Sequence, residues 1–229
     1  MKDAIEVWSS FLLAFSALLP IINPIGSALV FLGLVGDAPT VAYRRLARRI
    51  AINNVIFLGI IELVGFTILH FFGISLPIVQ ISGGIVIVAI GWSVLNAKDA
   101  EAKTLDKRED VRVNPDESFQ ALERKAFYPF TFPVTSGPGT LVVTLTLAAR
   151  AQNGGLVLNV LRHAGLFLAI LILSAFVYLC YANAPRLTRA IPRATVQGIL
   201  RVVAFILMCI GAQIAWNGLA ALLPTVLGR

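Results

Sequence analysis

Charge is scarce in this chain. Only 14% of its 229 residues are Asp, Glu, Lys or Arg, against 58% that are hydrophobic. A soluble domain is usually about a quarter charged, because it needs a polar skin in water. An ordinary water-soluble domain is therefore excluded. Cysteine is rare too: Cys180 and Cys209 are the whole supply, too few for a disulfide-rich secreted scaffold. Both fall inside apolar stretches, where free Cys is usually a small buried hydrophobe. Histidine is limited to His70 and His163, so no metal-ligand set at fixed spacing exists. No His-Glu-x-x-His, no paired aspartates and no Gly-x-Ser-x-Gly occur, so no catalytic set is expected, and no cofactor. Aromatics at 9% and the shortage of charge exclude disorder. What remains is an integral membrane protein of about one domain's length.

A membrane helix needs roughly 20 mostly apolar residues. Six such stretches are present: about 7–35, 50–72 (interrupted by Glu62), 77–97, 126–149, 156–182 and 198–223. Runs such as Ile85-Val86-Ile87-Val88-Ala89-Ile90 are apolar on every face, unlike the alternation of a membrane β-barrel. Only a helix satisfies its own backbone in lipid. The expected fold is all-α, with six transmembrane helices. The first run is too long for a signal-peptide core, so it is expected to stay.

The formal charge of +7 has its own explanation. Arg44, Arg45, Arg48 and Arg49 follow the first span. Lys98, Lys103, Lys107, Arg108, Arg112, Arg124 and Lys125 follow the third, and Arg186, Arg189 and Arg193 follow the fifth. The opposite side has Lys2, Arg150, Arg162 and Arg229, and Arg201 lies at the cytoplasmic start of the sixth span. Basic residues in short loops mark the cytoplasmic side, so both termini are expected on the face away from the cytoplasm. The cations are orientation signals and headgroup contacts. No basic face with interleaved aromatics points to nucleic acid.

The chain also repeats itself. Pro20-Ile21-Ile22-Asn23-Pro24-Ile25-Gly26-Ser27 in the first span aligns with Pro133-Val134-Thr135-Ser136-Gly137-Pro138-Gly139-Thr140 in the fourth, at a constant offset of 113. Pro20 meets Pro133, Gly26 meets Gly139 and Ser27 meets Thr140. A weaker echo at offset 121 pairs Gln80 with Arg201 and Asn96 with Asn217. Residues 1–97 and 126–229 are thus read as two three-helix repeats joined by a cytoplasmic linker, 98–125. Three is odd, so the second repeat is inverted, a transporter architecture.

Proline and glycine clusters break helices, and unwound backbone at membrane depth must line a cavity or be buried in protein. Half-helices are expected to start near Ser27 and Thr140, with free N–H groups and a partial positive charge at their first turns. Meeting near the midplane, they would hold a small anion or carboxylate. The candidate binding residues are Asn23, Pro24, Gly26, Ser27, Thr135, Ser136, Gly137, Gly139 and Thr140. The competing reading is a structural kink satisfied by neighbouring helices.

These blocks resemble the MarC family of bacterial inner-membrane proteins, also described as a neutral amino-acid transporter family. The likeness spans nearly the whole chain: six helices, Asn23-Pro24-Ile25-Gly26 in the first, Ser136-Gly137-Pro138-Gly139 after Phe132-Pro133 in the fourth, and a long loop between halves. One departure is Leu29, where the family commonly has proline. The resemblance implies an exporter or permease of small neutral amino acids.

Other polar residues sit within the spans. Glu62 is the one carboxylate deep in a span, and must be paired, protonated or facing water. It is either a coupling or gating group or a protonated acid bonded to a neighbouring helix. Asn53 and Asn54 are candidates for interhelical hydrogen bonds, and Gln213, Asn217 and Asn96 for helix glue. Trp8, Trp92 and Trp216 fit interfacial belts. The expected function is secondary transport by alternating access around a midplane site. A passive pore and a non-transporting membrane protein are the alternatives. Substrate identity, coupling ion, direction and oligomeric state are left open.

Overall fold

The computed structural model describes residues 2–35, 38–96, 123–152, 155–186 and 193–226. Linker residues 98–122 lie outside them, as do Arg189 and Arg229. Every regular element among the described residues is helical. In chain order these are α1 (Lys2–Ile22), α2 (Pro24–Val35), α3 (Thr40–Phe71), α4 (Leu76–Asn96), α5 (Ala126–Thr135), α6 (Pro138–Ala151), α7 (Leu156–Ala182) and α8 (Arg193–Val226). Among the described residues, five segments are long and apolar enough to cross a membrane: Asp3–Leu32, Thr40–Phe71, Leu76–Ser93, Leu156–Ala182 and Arg201–Pro224. Counting the bent pair α5 and α6 as one span makes six.

Several boundaries differ from the sequence reading. Arg44, Arg45, Arg48 and Arg49 are not in a loop; they form the first turns of α3. Arg193 likewise opens α8. Arginine is a good helix former, and a helix continues past the membrane wherever no breaker stops it. Glu123, at the end of the linker, is docked against this stretch, with an oxygen 3.1 Å from Arg49 and another 4.0 Å from Arg45.

The helices pair in a regular way. α4 packs along α8, α3 along α7, α1 and α2 on α7, and α5 and α6 on α3. Small residues set the closest approach. A Cβ on Gly84 would stand 2.5 Å from the Gly211 carbonyl oxygen and the Ala215 amide, so α4 and α8 touch backbone to backbone. Without a hydrophobic drive between helices in lipid, such close packing is what holds them. Large apolar side chains such as Leu63, Val202 and Phe205 stay exposed on the outer surface, as do Trp8, Trp92 and Trp216.

Three minor expectations need correction. Cys209 is exposed on α8 rather than buried, while Cys180 is half-buried. Gln213 and Asn217 are not glue between helices: Gln213 Nε2 donates to Asn217 Oδ1 one turn away, at 2.9 Å. Asn96 donates to the Trp92 carbonyl of its own helix. A polar residue four positions from a partner is satisfied locally and needs no second helix.

Candidate functional site

The first interruption is one residue long. α1 ends at Ile22, Asn23 has φ 43°, and α2 starts at Pro24. A residue before proline is driven out of the α region, and Asn is one of the few residues that tolerates a left-handed conformation. The half-helix thus begins at Pro24, not near Ser27. Its first turn is also less free than the sequence suggests. Asn23 Oδ1 accepts from the Gly26 amide at 3.1 Å, and the Asn23 carbonyl accepts from the Ser27 amide at 2.8 Å. This is N-capping by the chain's own asparagine. Pro24 has no N–H, so only the Ile25 amide lacks an acceptor among the described residues.

The second interruption is wider. α5 is wound loosely, with non-helical angles at Tyr128 and Phe132, each before a proline and each joined to it by a cis peptide bond. The Ser136 amide donates to the Thr131 carbonyl five residues back, at 2.8 Å. The chain then bends 71° between α5 and α6. α6 is opened by Gly137 with no side-chain cap, followed by Pro138. The Gly139 amide has no acceptor among the described residues. The Thr140 hydroxyl is fully buried and has no partner either. This terminus keeps a buried hydroxyl as well as an amide to spare, where the first keeps one amide.

The two interruptions are neighbours in space. A Cβ on Gly139 would lie 3.4 Å from Ile21, just ahead of Asn23. Tyr181 of α7 joins them. Its hydroxyl lies 2.8 Å from Thr135 Oγ1, with the Ser27 hydroxyl beside it. Thr135 spends its own hydrogen on the Phe130 carbonyl at 2.7 Å, so Tyr181 donates and Thr135 accepts. Ser27 donates to the Asn23 carbonyl at 2.9 Å. Asn54 of α3 closes the other side: Ser136 Oγ donates to its Oδ1, and its Nδ2 donates to Ser174 Oγ at 2.9 Å. Ser27, Thr135, Ser136, Thr140, Asn54 and Ser174 are all buried. Asn23, Pro24, Gly26, Gly137 and Gly139 complete the set; of these, Asn23 and Gly137 are partly exposed.

Aromatic rings lie on one side of this cluster. Phe31 stacks on Tyr181 at 4.4 Å between ring centres and meets Phe130 and Tyr43 edge-on at 5.4 and 5.7 Å. On the other side, a cleft of about 500 Å³ opens between α1, α6 and α7, lined by Glu6, Ser9, Ser10, Arg150 and Arg162. Arg162 Nε lies 3.7 Å from Glu6. Gly137 is thirteen residues from Arg150, about 20 Å of helix rise below the cleft.

Glu62 lies apart, eight residues along α3 from Asn54, about 12 Å of rise toward the cleft. Its Oε1 is 3.1 Å from His163 Nδ1 on α7, and it does not join the residues of the two interruptions. Sequence reasoning missed Tyr181, Ser174 and His163. A tyrosine and a serine in an apolar run give no signal of their own, but a histidine within a span does. Among the described residues, no three His, Cys, Asp or Glu side chains gather as a metal site.

The sequence pattern of MarC family integral membrane proteins matches residues 8–223. The chain belongs to the MarC family. It is similar to the inner membrane protein MarC of Salmonella paratyphi A, 23% identical over 220 residues, covering 96% of this chain and 98% of that one. The MarC protein of Citrobacter koseri is 26% identical over 229 residues, with the same coverage. That of Escherichia coli O1:K1 is 22% identical over 221 residues, covering 96% of this chain and 99% of the relative. No solved structure matches.

Proposed function

We propose that this MarC family protein is a secondary transporter of small neutral amino acids or similar small metabolites, an exporter or permease of the bacterial inner membrane. It is multi-pass, with both termini in the periplasm and lipid around its apolar surface. The observation that carries this reading is the second helix interruption. There an unclaimed Gly139 amide and the bare, buried Thr140 hydroxyl sit at the start of a 14-residue helix. Two spare donors at the positive end of a helix suit the carboxylate of an amino acid.

Support for two inverted repeats comes from the pairing of helices. Exchanging α1–α4 with α5–α8 keeps the main pairings: α4 with α8, α3 with α7, and the interrupted span of each half on the second span of the other; the packing of α6 on α4 has no counterpart between α2 and α8. The cleft at the end carrying the N-terminus and the aromatic rings on the opposite side are what an outward-facing state needs. The substrate would travel from a closed site between the interruptions to that cleft, and the rings of Phe31, Tyr43, Phe130 and Tyr181 would separate to admit it from the cytoplasm. Glu62 is the coupling or gating carboxylate in this scheme.

The test is reconstitution of the purified protein in liposomes with radiolabelled alanine or glycine. Gradient-driven accumulation is expected, with loss on Thr140→Val. Equilibration without accumulation would make the protein a pore. No movement of any small neutral amino acid would end the transport reading.

A further inference from the structure

Glu62 is shut away from solvent, its side chain 1% exposed. Oε1 meets His163 Nδ1 at 3.1 Å, and Oε2 is buried with no hydrogen-bond partner among the described residues. A carboxylate with one bare oxygen is costly in an apolar interior, unless a proton or a second state relieves it. Among the described residues, few ionisable groups lie toward this end of the packed elements. They are Arg162 on α7 itself, Glu6 on α1 and Arg150 on α6; Arg162 is held by Glu6, and all three line the outer cleft. His163 is the polar contact Glu62 has.

His163 is placed between two environments. Its side chain is 20% exposed. Its α7 neighbours Arg162 and Leu166 line the cleft of about 500 Å³ at the end carrying the N-terminus. Nδ1 faces the buried acid, and the ring keeps part of its surface uncovered. Histidine is the side chain best suited to pass a proton near neutral pH.

We propose that His163 and Glu62 form the proton entry of the transporter, with His163 taking protons from the outer cleft and Glu62 carrying them inward. This rests on the transport reading given above. In the step, hydronium in the cleft gives a proton to Nε2 and becomes water, while Nδ1 passes its own proton to Glu62 Oε1. One O–H bond breaks and one forms, and one N–H bond forms and one breaks, so the ring stays neutral and Glu62 becomes a neutral acid. When α3 and α7 shift, the acid loses its proton to water on the cytoplasmic side; while the two are apart, water takes the Nε2 proton and returns one to Nδ1, and the carboxylate then returns to the reset His163. With the outer end in the periplasm, inward proton flow would drive substrate outward.

Two measurements test the proposal. In liposomes holding a pH dye and radiolabelled alanine, wild type and His70→Asn, at the exposed end of α3, should move protons and alanine together. Glu62→Gln and His163→Asn should lower the ratio of protons to alanine about tenfold or more. A merely structural role would slow both fluxes together. An unchanged ratio, or a wild type that moves alanine without protons, overturns the proposal. Infrared spectroscopy of the purified protein needs no substrate. A carboxyl stretch absent from Glu62→Gln should shift on transfer to D2O, about tenfold more slowly in His163→Asn. If that slowing is found but alanine is not moved, the transport reading fails and the proton entry stands. No such band, or an unchanged deuteration rate, overturns the proton entry.

Discussion

Replacing Asn54 with leucine probes the polar network at the second interruption. Asn54 is fully buried, as are its partners Ser136 and Ser174. The change removes the acceptor of Ser136 Oγ and the donor to Ser174 Oγ. An orphaned buried group costs about 1–3 kcal/mol in soluble proteins, but polar contacts between membrane helices average only about 0.6 and reach about 1.7 kcal/mol. The two hydroxyls should differ. Ser174 lies in the middle of α7 and can turn its hydroxyl to the carbonyl four residues back. Its coupling to Asn54 should be about 0.5 kcal/mol. Ser136 has φ −126° and ψ 90°, so no helical turn offers it a carbonyl. Its coupling should approach about 1.5 kcal/mol. Double-mutant cycles with Ser136→Ala and Ser174→Ala would measure both, using reversible unfolding in mixed micelles followed by tryptophan fluorescence. The triple variant should be close to wild type, since removing every partner leaves no orphan. Equal couplings, or a larger one at Ser174, would refute the argument that the interruption strands its own polar groups.

Two further outcomes follow from packing. Gly84→Val should destabilise the protein by about 1–3 kcal/mol in the same unfolding assay, because the added atoms meet the backbone of α8, which cannot swing aside. Gly198→Ala, with nothing within 4 Å, should not. Tyr181→Phe keeps the stack on Phe31 and removes the hydroxyl between Ser27 and Thr135. It should cost about 1 kcal/mol, and a cysteine at Ser27 should react faster with a thiol reagent in that background. Unchanged reactivity would mean that Tyr181 does not tie the interruptions together.

The membrane class, the helical content and the approximate spans were legible without coordinates. Apolar run length is a property of consecutive residues, and in lipid each helix must satisfy its own backbone. The prolines at 24 and 138 likewise mark local events, since each acts on the residue before it. Chain order could not say how those events would be satisfied. Asn23 caps its own half-helix, while Gly137 has no side chain to do so and leaves Thr140 bare. Two motifs that look equivalent in one dimension thus differ in how many donors they keep. Nor could chain order supply the partners of the buried polar groups. Ser136 meets Asn54 across 82 positions, His163 meets Glu62 across 101, and Ser174 meets Asn54 across 120. A buried polar side chain announces that it needs a partner. Which partner it takes depends on which helix faces lie together, and that depends on side-chain packing between segments far apart in the chain.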